Sequence, residues 1–146
     1  MLRFVLLEHE WNGVHWDLML EVGDSLRTWA LERPIEVGIP QPARALPPHR
    51  LAYLDYEGKI SNDRGEVRRL DRGNYEALAW EYRRIVVRLD AAQVNGVVEL
   101  DLAEAGLTEG VDWRFLFLGK VDLRTCRLGN ERPTTGPPER SDRPLM

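Results

Sequence analysis

Val14-His15-Trp16-Asp17-Leu18-Met19-Leu20-Glu21 alternates between two sets of side chains, and this alternation decides the class of structure. Val14, Trp16, Leu18 and Leu20 form one apolar row, with His15, Asp17, Met19 and Glu21 opposite, which is the two-residue period of a β-strand. Outward from it, short runs at residues 3–8, 26–31, 50–60, 66–70, 83–89, 97–102 and 113–118 are rich in Val, Ile, Trp and Phe. Between them stand turn signals such as Val22-Gly23-Asp24, Ser61-Asn62-Asp63-Arg64-Gly65 and Asp71-Arg72-Gly73-Asn74. No window offers a long amphipathic helix. The expected fold is all-β, a small closed or partly open β-barrel of about eight strands. Residues 32–48 hold Pro34, Pro40, Pro42, Pro47 and Pro48, which cannot serve an interior ladder and predict a long loop crossing the barrel. Residues 127–146 are rich in proline and charge and poor in apolar side chains, so the expected organisation is a barrel domain over 1–126 and a disordered tail over 127–146.

A chain of 146 residues has room for one domain, and 43% apolar with 30% charged residues is the composition of a soluble globule. The longest apolar runs, such as 4–7 and 115–118, are far short of a membrane helix, and the first residues lack the pattern of a signal peptide. Cytoplasmic localisation with no membrane partner is therefore expected. The lone Cys126 can form neither an internal disulfide nor a thiolate metal cluster, and its expected role is inert packing. The net charge of −4 is unevenly spread: residues 44–88 carry ten basic and seven acidic groups, while the flanking segments are acidic. Of the 20 cations 18 are arginines. Two readings of this stand, arginine-favouring codon composition and a phosphate-binding patch in an acidic protein.

Two of the three histidines lie in His9-Glu10-Trp11-Asn12-Gly13-Val14-His15-Trp16-Asp17. On a strand, His15 and Asp17 share a face about 7 Å apart, and His9 can reach them across the turn at Asn12-Gly13. Two imidazoles and a carboxylate suit Mn²⁺, Fe²⁺ or Zn²⁺ with coordination positions left for water or substrate; the competing reading is polar groups on a wet strand face. His49 ends the proline-rich stretch and leads into Arg50-Leu51-Ala52-Tyr53-Leu54-Asp55-Tyr56-Glu57-Gly58.

These residues resemble a known family. Arg3-Phe4-Val5, His9, His15-Trp16-Asp17-Leu18, Leu20-Glu21 and Thr28-Trp29-Ala30 look like the opening of the 3′-phosphoesterase domain of bacterial DNA ligase D. His49, Leu51, Tyr53, Asp55-Tyr56-Glu57-Gly58 and Ile60, then Asp71-Arg72-Gly73, are similar to its second conserved segment. The resemblance covers roughly residues 3–120. It implies a small β-barrel that uses a divalent metal, Mn²⁺ by preference with Zn²⁺ or Fe²⁺ as alternatives, to remove 3′-phosphates or 3′-terminal ribonucleotides from DNA ends in repair. His9, His15 and Asp17 fall on the family's metal ligands, and His49 and Tyr53 on residues that act on the scissile phosphate. Arg44 is the nearest match to a phosphate-binding arginine, with Arg50 behind it. Where the family has an arginine two residues after the metal aspartate, this chain has Met19, on the same strand face as His15 and Asp17.

The implied partners are DNA or RNA-tailed DNA 3′ ends, with separate ligase or polymerase proteins needed for any role in end joining. Two alternatives stand beside this reading: a metal-containing module that binds nucleic-acid ends without cutting them, and a phosphoesterase for small phosphorylated molecules. Trp16, Trp29, Trp80 and Trp113, with Phe4, Phe115 and Phe117, read as core, whereas Trp11 lies in the turn between two candidate ligands and is a candidate contact for a nucleotide or partner. Arg64, Arg68, Arg69 and Arg72 read either as a phosphate-tracking stripe or as a solvated strand edge.

Overall fold

The alternating runs pair with their sequence neighbours through tight turns in which Asn12 (φ 56°), Gly13 (φ 112°) and Gly23 (φ 62°) supply the positive φ that such turns demand. In the computed structural model, which describes residues 1–103 and 112–120, these pairs close into a barrel. Strands β1 (Leu2–Glu10), β2 (Val14–Val22), β3 (Ser25–Leu31) and β4 (Gln41–Arg50) form one antiparallel meander. Strands β6 (Glu66–Trp80), β7 (Arg84–Ala91), β8 (Gly96–Leu102) and β9 (Trp113–Gly119) form a second. Pairing of β4 with β9 and of β1 with β6 closes eight strands into a ring, leaving the two-residue β5 (Gly58–Lys59) outside on β6. The described residues contain no α-helix, only a 3₁₀ turn over Leu51–Leu54. None of their helical segments is long and apolar enough to cross a membrane.

Strand alternation sorts the side chains into two cores. Phe4, Leu6, Leu18, Leu20, Trp29 and Phe115 point inward and fill the barrel. Trp16 and Trp80 pack against this core, and the Arg27 guanidinium lies over Trp29 at 4.9 Å, Trp113 at 5.5 Å and Trp80 at 5.9 Å, so these tryptophans are occupied in structure. With the interior packed, a site has to lie outside it. The outward residues Val5, Leu7, Met19, Leu26 and Val67 form a second buried cluster, covered by Leu54 with Leu51, Tyr53 and Ile60 packed against it.

Three expectations change. Residues 50–60 form no continuous strand: they make the 3₁₀ turn and β5, because their apolar groups bury against the outer face of β1 and β2 rather than join a ladder. Asp71-Arg72-Gly73-Asn74 is no turn but the middle of β6; the Asp71 carboxylate accepts the backbone N–H groups of Arg72 (3.0 Å), Gln93 and Val94 (both 2.7 Å), and a Cβ on Gly73 would overlap the Asp90 carbonyl oxygen. The proline-rich stretch is part connection and part strand, since β4 begins at Gln41. Strand β4 meets β9 only over Gln41–Ala43, and Pro47 and Pro48 fall where its register with β3 shifts, so the missing N–H groups break no ladder. The tail over 127–146, Cys126 and residues 104–111 lie outside the described residues.

Candidate metal and phosphate site

The β1–β2 hairpin sets His9 directly opposite His15, and the same register sets Leu7 opposite Asp17. All three polar side chains therefore stand on the outer face, at the rim of the second core. His9 Nδ1 lies 3.1 Å from His15 Nε2 and 3.7 Å from Asp17 Oδ2, and His15 Nε2 lies 3.2 Å from Asp17 Oδ1. Their candidate ligand atoms all fall within 4.8 Å of one another.

The other nitrogen of His9 decides what these atoms can do. Nε2 donates to the Arg64 carbonyl at 2.8 Å, which fixes the tautomer and leaves the Nδ1 lone pair facing the cluster. Arg64 is held there by Gly65, whose φ of 81° is costly for other residues and whose missing Cβ leaves room for the Glu10 carbonyl. Asp17 is 2% exposed, and its Oδ1 lacks a hydrogen bond of normal geometry despite the nearby imidazole. A buried carboxylate whose Oδ1 lacks a full partner, with one oxygen facing each of two imidazole nitrogens, fits a cation, because neighbouring ligands of a six-coordinate ion at about 2.1 Å stand roughly 3 Å apart. The electrostatics agree. The Asp17 carboxylate raises the His9 imidazole above its ordinary value, against the opposing effect of burial. Burial pushes the Asp17 carboxyl up, but contacts with His15 and His9 outweigh it and hold the group below the usual carboxylate range.

A cavity of about 530 Å³ opens over this cluster, and Arg44, His49 and Tyr53 line it together with His9, His15 and Asp17. Arg44 arrives by register: Asp17 pairs with Ala30, and Ala30 with Arg44, so the three lie in one row across β2, β3 and β4. His49 Nδ1 donates to the Pro47 carbonyl at 3.0 Å, leaving Nε2 for another partner, and its ring meets Tyr53 edge-on at 5.5 Å. Arg50 also lines the cavity, so both candidate arginines reach it.

Met19 stands on the expected face with His15 and Asp17. It is 1% exposed and packs in the second core between Val5 and Thr28, so it forms part of the cavity floor and does not reach freely towards the ligands. Of the arginine run, Arg68 pairs with Glu8 and Arg72 with Asp55, while Arg64 lines the cavity. Strand β6 meets β5 only at Glu66 and Val67 and meets β7 only from Gly73 onward, so over residues 68–72 its side away from β1 is a strand edge, as one of the two readings expected, where the Arg69 N–H donates to the Glu57 carboxylate at 2.8 Å. The contributions of Gly65 and the Arg64 carbonyl escaped sequence reasoning; the positive-φ turn signal around Gly65 was the one visible hint.

A closed barrel with two imidazoles and a carboxylate on its outer face, beside arginines and a third imidazole, suits phosphate-ester chemistry. Residues 7–102, more than half of the chain, match the family model of the DNA ligase D 3′-phosphoesterase domain. The chain belongs to that family, which places it among phosphoesterases of DNA end processing. Comparison with curated proteins gives no match.

Proposed function

We propose that this protein is a divalent-metal-dependent phosphoesterase that removes a 3′-phosphate or a 3′-terminal ribonucleotide from DNA ends. The observation that carries the reading is the convergence of His9, His15 and Asp17 in one cavity with Arg44, His49 and Tyr53. His9 Nδ1, His15 Nε2 and the Asp17 carboxylate would hold the cation, Mn²⁺ first, with Zn²⁺ and Fe²⁺ suited to the same donors. A divalent ion there supplies neutralisation of the nonbridging oxygens and an activated water. Arg44 donates its guanidinium N–H groups to phosphate oxygens, Tyr53 Oη donates to another, and protonated His49 gives the Nε2 proton to the departing oxygen, the deoxyribose 3′-oxygen when a phosphate is removed and the 5′-oxygen when a terminal ribonucleoside is released.

The test is incubation with Mn²⁺ and a primer-template carrying a 3′-phosphate or one 3′-terminal ribonucleotide. Release of phosphate or nucleoside is expected. A mobility shift without product would make the protein an end-binding module, and preference for a free nucleotide would make it a small-molecule phosphoesterase.

The geometry also predicts a pH dependence. The proton that His9 takes up enters at Nδ1, the same lone pair that would bind the metal, because Nε2 is committed to Arg64. Proton and metal compete, so Mn²⁺ affinity should fall as pH drops through the raised His9 value, by up to about tenfold per pH unit once that proton is on. Calorimetry at pH 6 and pH 8 should show weaker binding and proton release at the lower pH; equal affinities would remove His9 from the ligand set.

Met19→Arg tests the phosphate pocket. The arginine methylenes can replace the thioether against Val5 and Thr28 while the guanidinium reaches the cavity. A charge-assisted contact of about 1.5–3 kcal/mol corresponds to a ten- to hundredfold gain in kcat/KM for 3′-phosphate release. The melting temperature should fall, since a buried apolar side chain is exchanged for a charged one. A folded, metal-loaded variant less active than wild type would count against a ligase D-like placement of the phosphate.

A further inference from the structure

A second cavity, of about 210 Å³, adjoins the first and is lined by Arg50, Tyr53, Tyr56, Lys59, Ile60 and Ser61. Arg50, Tyr53 and Ile60 line both, so the two meet along the Tyr53 ring. Tyr56 crosses Tyr53 edge-on at 6.0 Å and is 38% exposed, and its hydroxyl donates to the Lys59 carbonyl. That bond, with Gly58 at φ 126°, fixes the turn and presents the ring in one orientation. Among the described residues, neither Arg50 nor Lys59 has a carboxylate partner, whereas Arg3, Arg68, Arg72, Arg84 and Arg88 are all paired.

A rigid, exposed aromatic ring beside two uncommitted cations is what a nucleotide requires: a platform for the base and charge for its phosphate. The space is below the size of pockets for drug-like ligands and suits one planar ring system, leaving the sugar and phosphate at the cationic rim. From the proposed phosphoesterase reading of the main cavity, on which this step rests, we infer that the second cavity holds the nucleotide immediately 5′ of the terminal one. Its base lies against Tyr56 and its phosphate between Arg50 and Lys59, so the strand leaves the main site over residues 51–61. The opposite exit, past Trp11, is less suited. Trp11 is 44% exposed but stacked on His9 at 6.2 Å, and the cation beside it, Arg64, already donates Nε–H to the Ser61 carbonyl. The site therefore selects strand ends of at least two nucleotides over mononucleotides.

The experiment measures binding of thymidine 3′-phosphate and of 3′-phosphorylated tetrathymidylate by calorimetry, with chelator present to prevent turnover. Wild type should bind the tetranucleotide about tenfold more tightly. Tyr56→Ala should bring the two within about twofold by weakening only the tetranucleotide. Tyr56→Phe, which loses the turn hydrogen bond and keeps the ring, should retain the advantage. Lys59→Ala should reduce it and make the log-log salt slope shallower by about 0.7, the loss of one phosphate contact on a single strand. A length advantage that is absent from wild type, that survives both alanine variants, or that Trp11→Ala removes in their place would overturn the inference. Phosphate release from the primer-template with Mn²⁺ is scored separately. Turnover without a length advantage retains the phosphoesterase and rejects the second subsite. A length advantage lost in Tyr56→Ala without any turnover supports the subsite and rejects the enzyme.

Discussion

Replacing Asp17 by asparagine is expected to weaken Mn²⁺ binding at least tenfold and to remove detectable phosphate release. Asparagine keeps the shape of the side chain in a position that is 2% exposed, so the barrel and the second core need not rearrange. What changes is the charge. Asp17 is the one carboxylate in the cluster, and its oxygens face His9 Nδ1 and His15 Nε2 across 3.7 and 3.2 Å. A neutral amide offers a divalent cation a weaker oxygen and, turned the other way, an NH₂ group that repels it. Without the cation, the charge of the phosphate and the activation of water go unaided, a loss of several kcal/mol from the transition state. Calorimetry with Mn²⁺ and a phosphate-release assay on the same preparation check both halves. Unchanged Mn²⁺ affinity would place the metal elsewhere.

His49→Ala should lower kcat for 3′-phosphate release by about 10²–10⁴ while leaving Mn²⁺ affinity intact, the range general acid catalysis typically contributes. Two observations set the expectation. The ring is anchored by Nδ1–H donating to the Pro47 carbonyl, and it lines the same cavity as His9, His15 and Asp17 without belonging to their cluster. Its specific role is read from the leaving group. A deoxyribose 3′-oxygen needs a proton as it departs, whereas p-nitrophenolate leaves readily without one. The loss should therefore be much smaller with p-nitrophenyl phosphate. An equal loss with both substrates would make His49 a phosphate ligand, and a loss under threefold with the 3′-phosphate would remove it from the machinery.

The class of structure and the grouping of His9, His15 and Asp17 were legible in the sequence because both rest on local rules. The period of two in residues 14–21 assigns β2, and the Asn12-Gly13 turn joins it to β1, so His9 had to come near His15 and Asp17. The cation bias of residues 44–88 was legible too, but not its use. Arg44, Arg50, Lys59 and Arg64 line cavities, whereas Arg68, Arg72, Arg84 and Arg88 from the same segment are neutralised by carboxylates on other elements. No spacing along the chain distinguishes the two groups.

What the sequence by itself determined, then, is most of the strands, though not β4 or the full length of β6, together with one hairpin and the three polar groups that hairpin brings together, because dihedral preferences and side-chain alternation act between near neighbours. Tertiary structure alone decided that the cluster faces outward, since closure through β4–β9 and β1–β6 fills the interior with Phe4, Leu18, Trp29 and Phe115. It also decided that residues 51–60 form a cover instead of a ninth full strand, because burying Leu54 on Met19, Leu7 and Val67 takes apolar surface out of water. The same holds for Asp71-Arg72-Gly73-Asn74, letters that serve a turn or a strand equally well. They became strand because the Asp71 carboxylate met two backbone donors, of Gln93 and Val94, that only the folded chain brings within reach.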